Sequence, residues 1–326
     1  MKIQTAFAAA LCTALSWAAP MVHAADTDPY PNRPIKLVVG FAPGGSSDTV
    51  ARIIAPRLAD VLKQSVVIDN KPGAGGNIAS DFLIKAPADG YTVMLGTIGS
   101  LAVNQHLNKL NYNPATDMAA LSMTVVFTNV LVVNANSPVR TLSDYVRLGK
   151  EPNSKLSFGS SGVGSSGHLA GELLKSAGGL NNQHVAYRGG APAMNDLLGG
   201  TLASIFSSPT DALQFIQAGK LRAIATTGSK RLDALPLVPT VAESGFAGFE
   251  AVNWYAFTAP QRTPADVVQR LNAAIVSVLN EPGVVAQLRK LGLEPTPTSP
   301  DDTTRFIKAE SEKWGALVRK AGIKAE

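Results

Sequence analysis

A glycine-rich segment between an apolar run and a helical pattern, GFAPGGSSDTVAR (residues 40–52), constrains the fold of this chain most. The run Ile35–Val39 before it has the length and composition of a buried strand. Apolar residues then recur at helical spacing through residues 50–62, and residues 46–48 are good N-cap types. The segment predicts a strand, a bare loop and a capped helix, which is either a common strand-to-helix turn or a cradle of free N–H groups for an anion.

A second segment of the same kind occurs near the middle of the chain. A predicted strand at residues 155–159 leads into GSSGVGSSG (residues 159–167), and a helical pattern begins at His168. Four glycines leave the backbone bare, and four serines lead into the helix. Open α/β sheets bind ligands beyond the carboxyl ends of their strands. Two loops of this chemistry therefore favour anion binding over a pair of ordinary turns.

The order of the predicted elements indicates two α/β units. Residues 35–96 read as β-α-β-α-β, which favours a parallel sheet, and the same order restarts after the apolar run at residues 125–134. A late apolar strand at residues 253–259 precedes three helical stretches. We predict that residues 25–128 and 252–326 form a discontinuous first lobe and residues 129–251 a second one. Pro56 is expected to kink or split the first helix.

The first 24 residues have the pattern of a cleavable signal peptide. Lys2 gives a positive start, small apolar residues follow, and Val22-His23-Ala24 predicts cleavage after Ala24. No later stretch is apolar for the roughly 18 residues that a membrane span needs. Cys12, the single cysteine, lies in the leader, so the mature chain is predicted to lack a thiol, a disulfide and a cysteine-ligated metal. These features predict a periplasmic protein.

Charge and motif patterns argue against nucleic-acid binding and catalysis. The net charge of +5 is scattered, without a basic stripe. Residues 162–167 match a dinucleotide fingerprint and Arg188 could contact an NADP phosphate, but nicotinamide dinucleotides are scarce outside the cytoplasm. The serine loops lack a G-x-S-x-G elbow, and the histidines lack zinc spacing. We therefore predict no cofactor, no metal and no enzymatic activity.

Several single residues have two interpretations each. Asp48 could cap the first helix, hold the loop hydroxyls or receive a ligand amine, and His168 more simply packs the second loop than acts as a base. Trp254 and Tyr255 could line a cleft or pack in the core. Arg188 could pair with an acidic ligand or with its own lobe. Gly44 and Gly164 are expected to let a ligand approach the backbone, and either could need a positive φ.

From about Tyr30 to the C-terminus, the chain resembles the tripartite tricarboxylate transporter substrate-binding proteins, the Bug family of periplasmic solute receptors. The resemblance is carried by FAPGGSSDTVAR, VIDNKPGAGGNIAS, PADGYTVMLGT, FGSSGVGSSGHLAGELL, VAYRGGAPAMNDLLGG, LRAIATTGSKRLDALPLVPTVAESGF and WYAFTAP, in this order.

The resemblance implies a two-lobed type II periplasmic-binding-protein fold with a two-strand hinge. It implies capture of a small carboxylate between the lobes by backbone N–H groups, hydroxyls and water. The implied ligand-binding residues are Phe41, Ala42, Gly44, Gly45, Ser46, Asp48, Ser160, Gly164, Ser165, Ser166 and His168, with Thr97, Ser207 and Ser208 as weaker inferences.

The implied function is delivery of a mono-, di- or tricarboxylate, or an amino acid, to integral membrane transporter subunits. We expect a monomer. The alternatives are a periplasmic sensor that feeds a two-component system and an exported hydrolase. One departure concerns residues 202–204, Leu-Ala-Ser, where many similar proteins carry Val-Asp. The resemblance therefore does not indicate one particular ligand.

Overall fold

The structure is a computed structural model that describes residues 30–324, so the predicted signal peptide and its cleavage site lie outside the described residues. The strands are β1 Ile35–Val39, β2 Val66–Asn70, β3 Thr92–Thr97, β4 Met118–Thr128, β5 Val130–Asn134, β6 Ser157–Ser160, β7 Gln183–Ala186, β8 Ser204–Ser207, β9 Leu221–Thr226, β10 Val252–Pro260 and β11 Glu294–Pro295. The helices are α1 Ser46–Leu62, α2 Asn77–Lys85, α3 Asn104–Leu107, α4 Pro114–Asp117, α5 Leu142–Gly149, α6 Ser166–Gly178, α7 Gly190–Leu198, α8 Pro209–Gln217, α9 Ala265–Leu279, α10 Pro282–Lys290 and α11 Pro300–Ala321. A short 3₁₀ turn, Ala74–Gly76, precedes α2, and a wide helical turn, Gly99–Val103, precedes α3.

The strands form two mixed sheets with the same plan. The first has six strands in the order β11-β4-β10-β3-β1-β2, and the second has five in the order β7-β6-β8-β5-β9. In each sheet three strands are parallel, as the β-α-β order predicts, and an antiparallel strand pairs with the third of them. The predicted two-sheet α/β fold is therefore confirmed.

The chain passes between the sheets twice. The apolar run predicted near residues 125–134 is divided at Asn129, because β4 belongs to the first sheet and β5 to the second. The return passes from β9 through residues 227–251 to β10. The two passages are joined by hydrogen bonds: Thr227 N donates to Asn129 O at 2.9 Å, and Ala251 N donates to Thr227 O at 2.8 Å. These crossings lie where the lobe boundaries were predicted, although the boundaries themselves stay a prediction.

Helix α1 does not split at Pro56, contrary to one of the two predicted outcomes. It runs as one element from Ser46 to Leu62. Pro56 lies on the exposed side, so the carbonyl of Arg52, which the proline leaves without an intrahelical donor, is on the solvent side of the helix. The opposite side packs Val50, Ile54 and Leu58 into the core of the first sheet. Burial of that apolar face outweighs the lost hydrogen bond.

The helices cover both sheets and leave the loops after the parallel strands facing one another. Among residues 30–324 no helix combines the length and the hydropathy that crossing a bilayer requires. The loop after β1 and the loop after β6, which the sequence singles out, come from different sheets and meet at the cleft between them.

Candidate functional site

A cavity of about 40 Å³ lies between the two sheets, enough for a few water molecules. Its walls come from the loop after β1, the ends of β3 and β8, the crossing strands and the loop after β6. The lining residues are Phe41, Gly45, Ser46, Ser47, Thr97, Ile98, Asn129, Ser161, Ser165, Ser166, Gly167, Gly190, Ala193, Ile205, Phe206, Ser207, Ser208, Asp211, Asn253 and Tyr255.

Four helices present their N-termini to this cavity. The lining includes first-turn or N-cap residues of α1 (residues 45–47), α6 (residues 165–167), α7 (Gly190) and α8 (Ser208). No side chain caps α1, α7 or α8. The first N–H groups of a helix have no partner within the helix, and the helix dipole makes this end positive. The cavity is therefore lined by donors that suit an anion.

Two buried side chains add unused polar atoms. Asn129, 1% exposed, accepts a hydrogen bond from Ser166 Oγ at 3.2 Å through Oδ1, while its Nδ2 has no partner among the described residues. The hydroxyl of Thr97 is likewise buried without a partner there. A buried polar atom without a hydrogen bond costs free energy. A ligand oxygen that accepts from Asn129 would remove that cost.

Positive side chains take no part in the lining, which contains no lysine, arginine or histidine. The side chain of Arg188 is exposed, and only its backbone oxygen reaches the cleft, where it accepts a hydrogen bond from Ala42 N at 3.1 Å. Asp211 is the one lining residue with a carboxyl group. Among residues 30–324, no group of three or more His, Cys, Asp or Glu side chains is placed to hold a metal ion.

The predicted ligand-binding residues fall into two groups. The structure brings eight of them together in the cavity wall: Phe41, Gly45, Ser46, Thr97, Ser165, Ser166, Ser207 and Ser208. Six others, which do not line it, are Ala42, Gly44, Asp48, Ser160, Gly164 and His168. The members of the second group support the two loops from behind or contact the opposite side of the cleft.

Asp48 organises the first loop. Its Oδ2 accepts hydrogen bonds from Gly44 N at 2.9 Å and Arg52 Nε at 2.7 Å, and its Oδ1 accepts one from Asn70 Nδ2 at 3.0 Å. Asn70 also donates to Phe41 O at 3.0 Å. Burial alone would raise the pKa of the Asp48 carboxyl, but these hydrogen bonds together hold that pKa below its usual value. Asp48 therefore stays ionised, and its hydrogen bonds fix the conformation of the first loop although Asp48 itself does not line the cavity.

A pair of stacked histidines supports the second loop. The rings of His168 and His184 lie 4.3 Å apart. His168 Nδ1 accepts from Gly164 N at 3.1 Å, and His184 Nε2 lies 2.7 Å from Ser160 Oγ. Burial lowers the pKa of His168 to about 3, with a contribution from the neighbouring His184, and lowers the pKa of His184 to about 4. Both rings are neutral at pH 7, which agrees with loop packing by His168.

This histidine pair makes stability depend on pH. Above about pH 6.5 both histidines are neutral in the folded and in the unfolded chain. Below about pH 6.5 the histidines of the unfolded chain become protonated, whereas the buried pair in the folded chain stays neutral. The free energy of unfolding therefore falls as the pH drops from about 6.5 towards 4. His184→Gln removes one such proton, so we expect the variant to lose about 2 kcal/mol less than the wild type between pH 6.5 and 5. Urea unfolding at a series of pH values measures this difference, and parallel curves would contradict it.

Glycines form much of the contact across the cleft. A side chain on Gly75, in the first-sheet half, would overlap the carbonyl oxygen of Val163 in the other half. A Cβ on Gly99 would lie 2.9 Å from Gly164 O, and one on Gly45 would lie 3.6 Å from Gly190 N. Ser208 Oγ donates to Ser46 Oγ at 3.0 Å across the same gap. The structure is thus a closed form in which backbone atoms of the two halves contact one another without side chains between them.

Gly44 and Gly164 both have positive φ, of +84° and +78°, as we expected. Their surroundings differ from the expectation, because neither lines the cavity. A side chain on Gly164 would overlap the side-chain oxygen of Asn104 on the opposite side of the cleft, and one on Gly44 would face Ala191. Both glycines allow close contact between the two halves.

Trp254 and Tyr255 of β10 divide between the two interpretations. Tyr255 lines the cavity, whereas Trp254 is fully buried in the core and donates from Nε1 to Glu310 Oε2 at 3.0 Å. Sequence reasoning missed Asn129, Asp211 and Asn253 as lining residues. The signal available for Asn129 was an amide side chain in the middle of the largely apolar run VVFTNVLVVN.

Comparison with known proteins identifies the family. Residues 50–323 match the family described as the tripartite tricarboxylate transporter family receptor. The chain belongs to this receptor family. The receptor is 37% identical to protein BugT of Bordetella pertussis over 299 residues, which cover 91% of this chain and 92% of BugT.

Two solved structures extend the likeness to the fold of the receptor. Rpa4515 of R. palustris with adipate has a TM-score of 0.87 and 36% identity, over 90% of this chain and 99% of that one. MatC of Rhodopseudomonas palustris with bound malate has a TM-score of 0.85 and 29% identity, over 89% of this chain and 100% of that one. The receptor therefore has the fold of periplasmic binding proteins, as the resemblance implies.

Proposed function

We propose that the receptor captures a small organic carboxylate in the cavity between its two halves and delivers it to integral membrane subunits of a tripartite transporter. The observation that carries the proposal is the convergence of four helix N-termini on a cavity without a basic side chain. Such a site neutralises a carboxylate with partial charges and hydrogen bonds instead of an ion pair.

The comparisons support the same ligand class, since two of the similar structures hold adipate and malate. They also support a periplasmic location, to which the predicted signal peptide would direct the chain. Eight lining residues that the resemblance implied, among them Ser46 and Ser166, are the proposed ligand contacts. Asp48 and His168 are proposed as supports of the ligand-binding loops. Asn129, with its unused Nδ2, is added to the contacts.

Thermal unfolding with a panel of mono-, di- and tricarboxylates tests the proposal. A carboxylate at about 100 times its Kd stabilises the folded chain by about 2.7 kcal/mol, which raises the Tm by about 5–10 °C. Esters of the same acids should give no shift, because they lack the charge that the helix ends attract. If no acid in the panel raises the Tm, the proposed function is wrong; hydrolysis of an ester by the purified protein would favour an exported hydrolase.

Arg188→Ala tests how the anion is held. Because the Arg188 side chain is exposed and outside the lining, we expect the Kd of the best acid to change by less than about fivefold. Calorimetric titration measures this. Loss of binding in Arg188→Ala would mean that a direct salt bridge, and not the backbone cradle, holds the carboxylate.

A further inference from the structure

Asp211 contributes an acidic side chain to a cavity that otherwise suits anions. Its carboxyl oxygen Oδ1 is buried and has no hydrogen-bond partner among the described residues. The other oxygen, Oδ2, lies against the backbone of Gly190, where a side chain would overlap it. Because the lining contains no lysine, arginine or histidine, no protein cation in the cavity wall balances this carboxylate. A buried carboxylate without a partner is costly, so a ligand group that pairs with it would bind favourably.

The surroundings of Asp211 act on its charge in opposite directions. Burial raises the pKa of its carboxyl group to about 7. Asp211 also lies in the first turn of α8 and beside the first residue of α7, and positive helix ends favour the ionised form. A cation placed against Oδ1 would favour ionisation further.

The remaining cavity wall separates into regions of different chemistry. The N-terminus of α6, with residues 165–167, presents amides and hydroxyls at one side of the wall. Asp211 contributes the carboxyl group at the side formed by α7 and α8, which the N-terminus of α1 adjoins, since Ser46 Oγ lies 3.4 Å from Thr210 Oγ1. A molecule that carries both a carboxylate and an ammonium group matches the two regions.

We propose that Asp211 forms the subsite for a protonated amine, so that the receptor selects an amino-carboxylate over the same acid without the amine. This inference rests on the proposed function and narrows its ligand class.

Titration of the mature receptor with matched acids tests the proposal. Succinate, malate and L-aspartate differ only at one carbon, which carries hydrogen, hydroxyl or ammonium; adipate and 2-aminoadipate form a longer pair. At pH 7.5 the better-bound amino acid is expected to bind at least about 30-fold more tightly than its amine-free partner, the effect of a buried charge pair. Malate should fall between succinate and L-aspartate, because its hydroxyl can donate a neutral hydrogen bond to Oδ1.

Asp211→Asn removes the charge and keeps the shape. In this variant we expect the preference for the amine to disappear, with the amino acid weakened at least about 30-fold and the amine-free acid bound as well as before or better. Asp233→Asn, at an exposed position of the same half, should keep the wild-type preference. The wild-type comparison stands even if Asp211→Asn does not fold.

The outcomes separate the two proposals. Equal binding of each acid with and without the amine overturns the amine subsite while leaving carboxylate capture intact. Tighter binding of the amine-free acid, with uptake of one proton seen as buffer-dependent heat, also overturns it, because a protonated Asp211 would then donate a hydrogen bond to a ligand carboxylate. If no acid of either kind binds, the proposed function itself fails.

Discussion

Gly75→Ala is expected to weaken ligand capture strongly while leaving the protein folded. The added Cβ would overlap Val163 O on the other side of the cleft, and backbone on both sides leaves little room to yield. Overpacking of this kind costs about 3 kcal/mol, and here the cost falls only on the closed form. Because affinity scales with the population of the binding-competent form, we expect the Kd of the best carboxylate to rise by about 100-fold or more.

The chain supplies a matched control at Gly179. Gly75 and Gly179 both have φ of +61°, but a Cβ on Gly179 meets nothing within 4 Å. Gly75→Ala and Gly179→Ala should therefore lose a similar stability, about 1–2 kcal/mol for a left-handed alanine. Only Gly75→Ala should lose binding in calorimetric titration. Equal affinity in both variants would show that this contact across the cleft is not required for capture.

Glu310→Ala is expected to give the largest loss of stability. Glu310 is 8% exposed, and its Oε2 accepts from the indole N–H groups of Trp254 and Trp314, each at 3.0 Å. Lys313 Nζ donates to Oε1 at 3.0 Å. Alanine leaves two buried indole donors unpaired, at about 1–3 kcal/mol each, so we expect the free energy of unfolding to fall by about 3–5 kcal/mol.

Urea unfolding measures this loss of stability, and two further variants serve as comparisons. Glu310→Gln keeps one oxygen acceptor and should lose less than Glu310→Ala. Glu312→Ala, at an exposed position on the same helix, should change the free energy of unfolding by less than about 0.5 kcal/mol. A loss of under 1 kcal/mol in Glu310→Ala would mean that the indoles find other acceptors.

Most of the fold was predictable because its signals are local. β1 has the predicted bounds, since it is a short apolar run ended by turn residues. The first part of β4 and the helical segment at residues 99–107 were missed. β4 pairs with β10, more than a hundred residues later in the chain, so the residues around β4 give no local sequence signal of this pairing. The tertiary contacts of α1 also kept together a helix that Pro56 was expected to kink or split.

The candidate site was predictable as two loops but not as a set of side chains. Ser46 and Ser166 were assigned to the cavity and lie in its wall, whereas Gly164 and His168 were assigned to it and do not. Residues within one loop point in different directions, and packing against the opposite half decides which of them face the cavity. Asp211 carried no signal, because an acid in the first turn of a helix is common for reasons of helix stability alone.

By itself the sequence determined the two α/β units, the two glycine–serine loops and the family, because strand and helix periodicity, turn residues and motif order are all properties of neighbouring residues. Only the tertiary structure decided that four helix ends converge on one cavity, that glycines meet across the cleft and that no lysine, arginine or histidine joins Asp211 in the cavity wall. These features join residues from different elements of the fold, and such contacts form only when both sheets pack and the cleft closes.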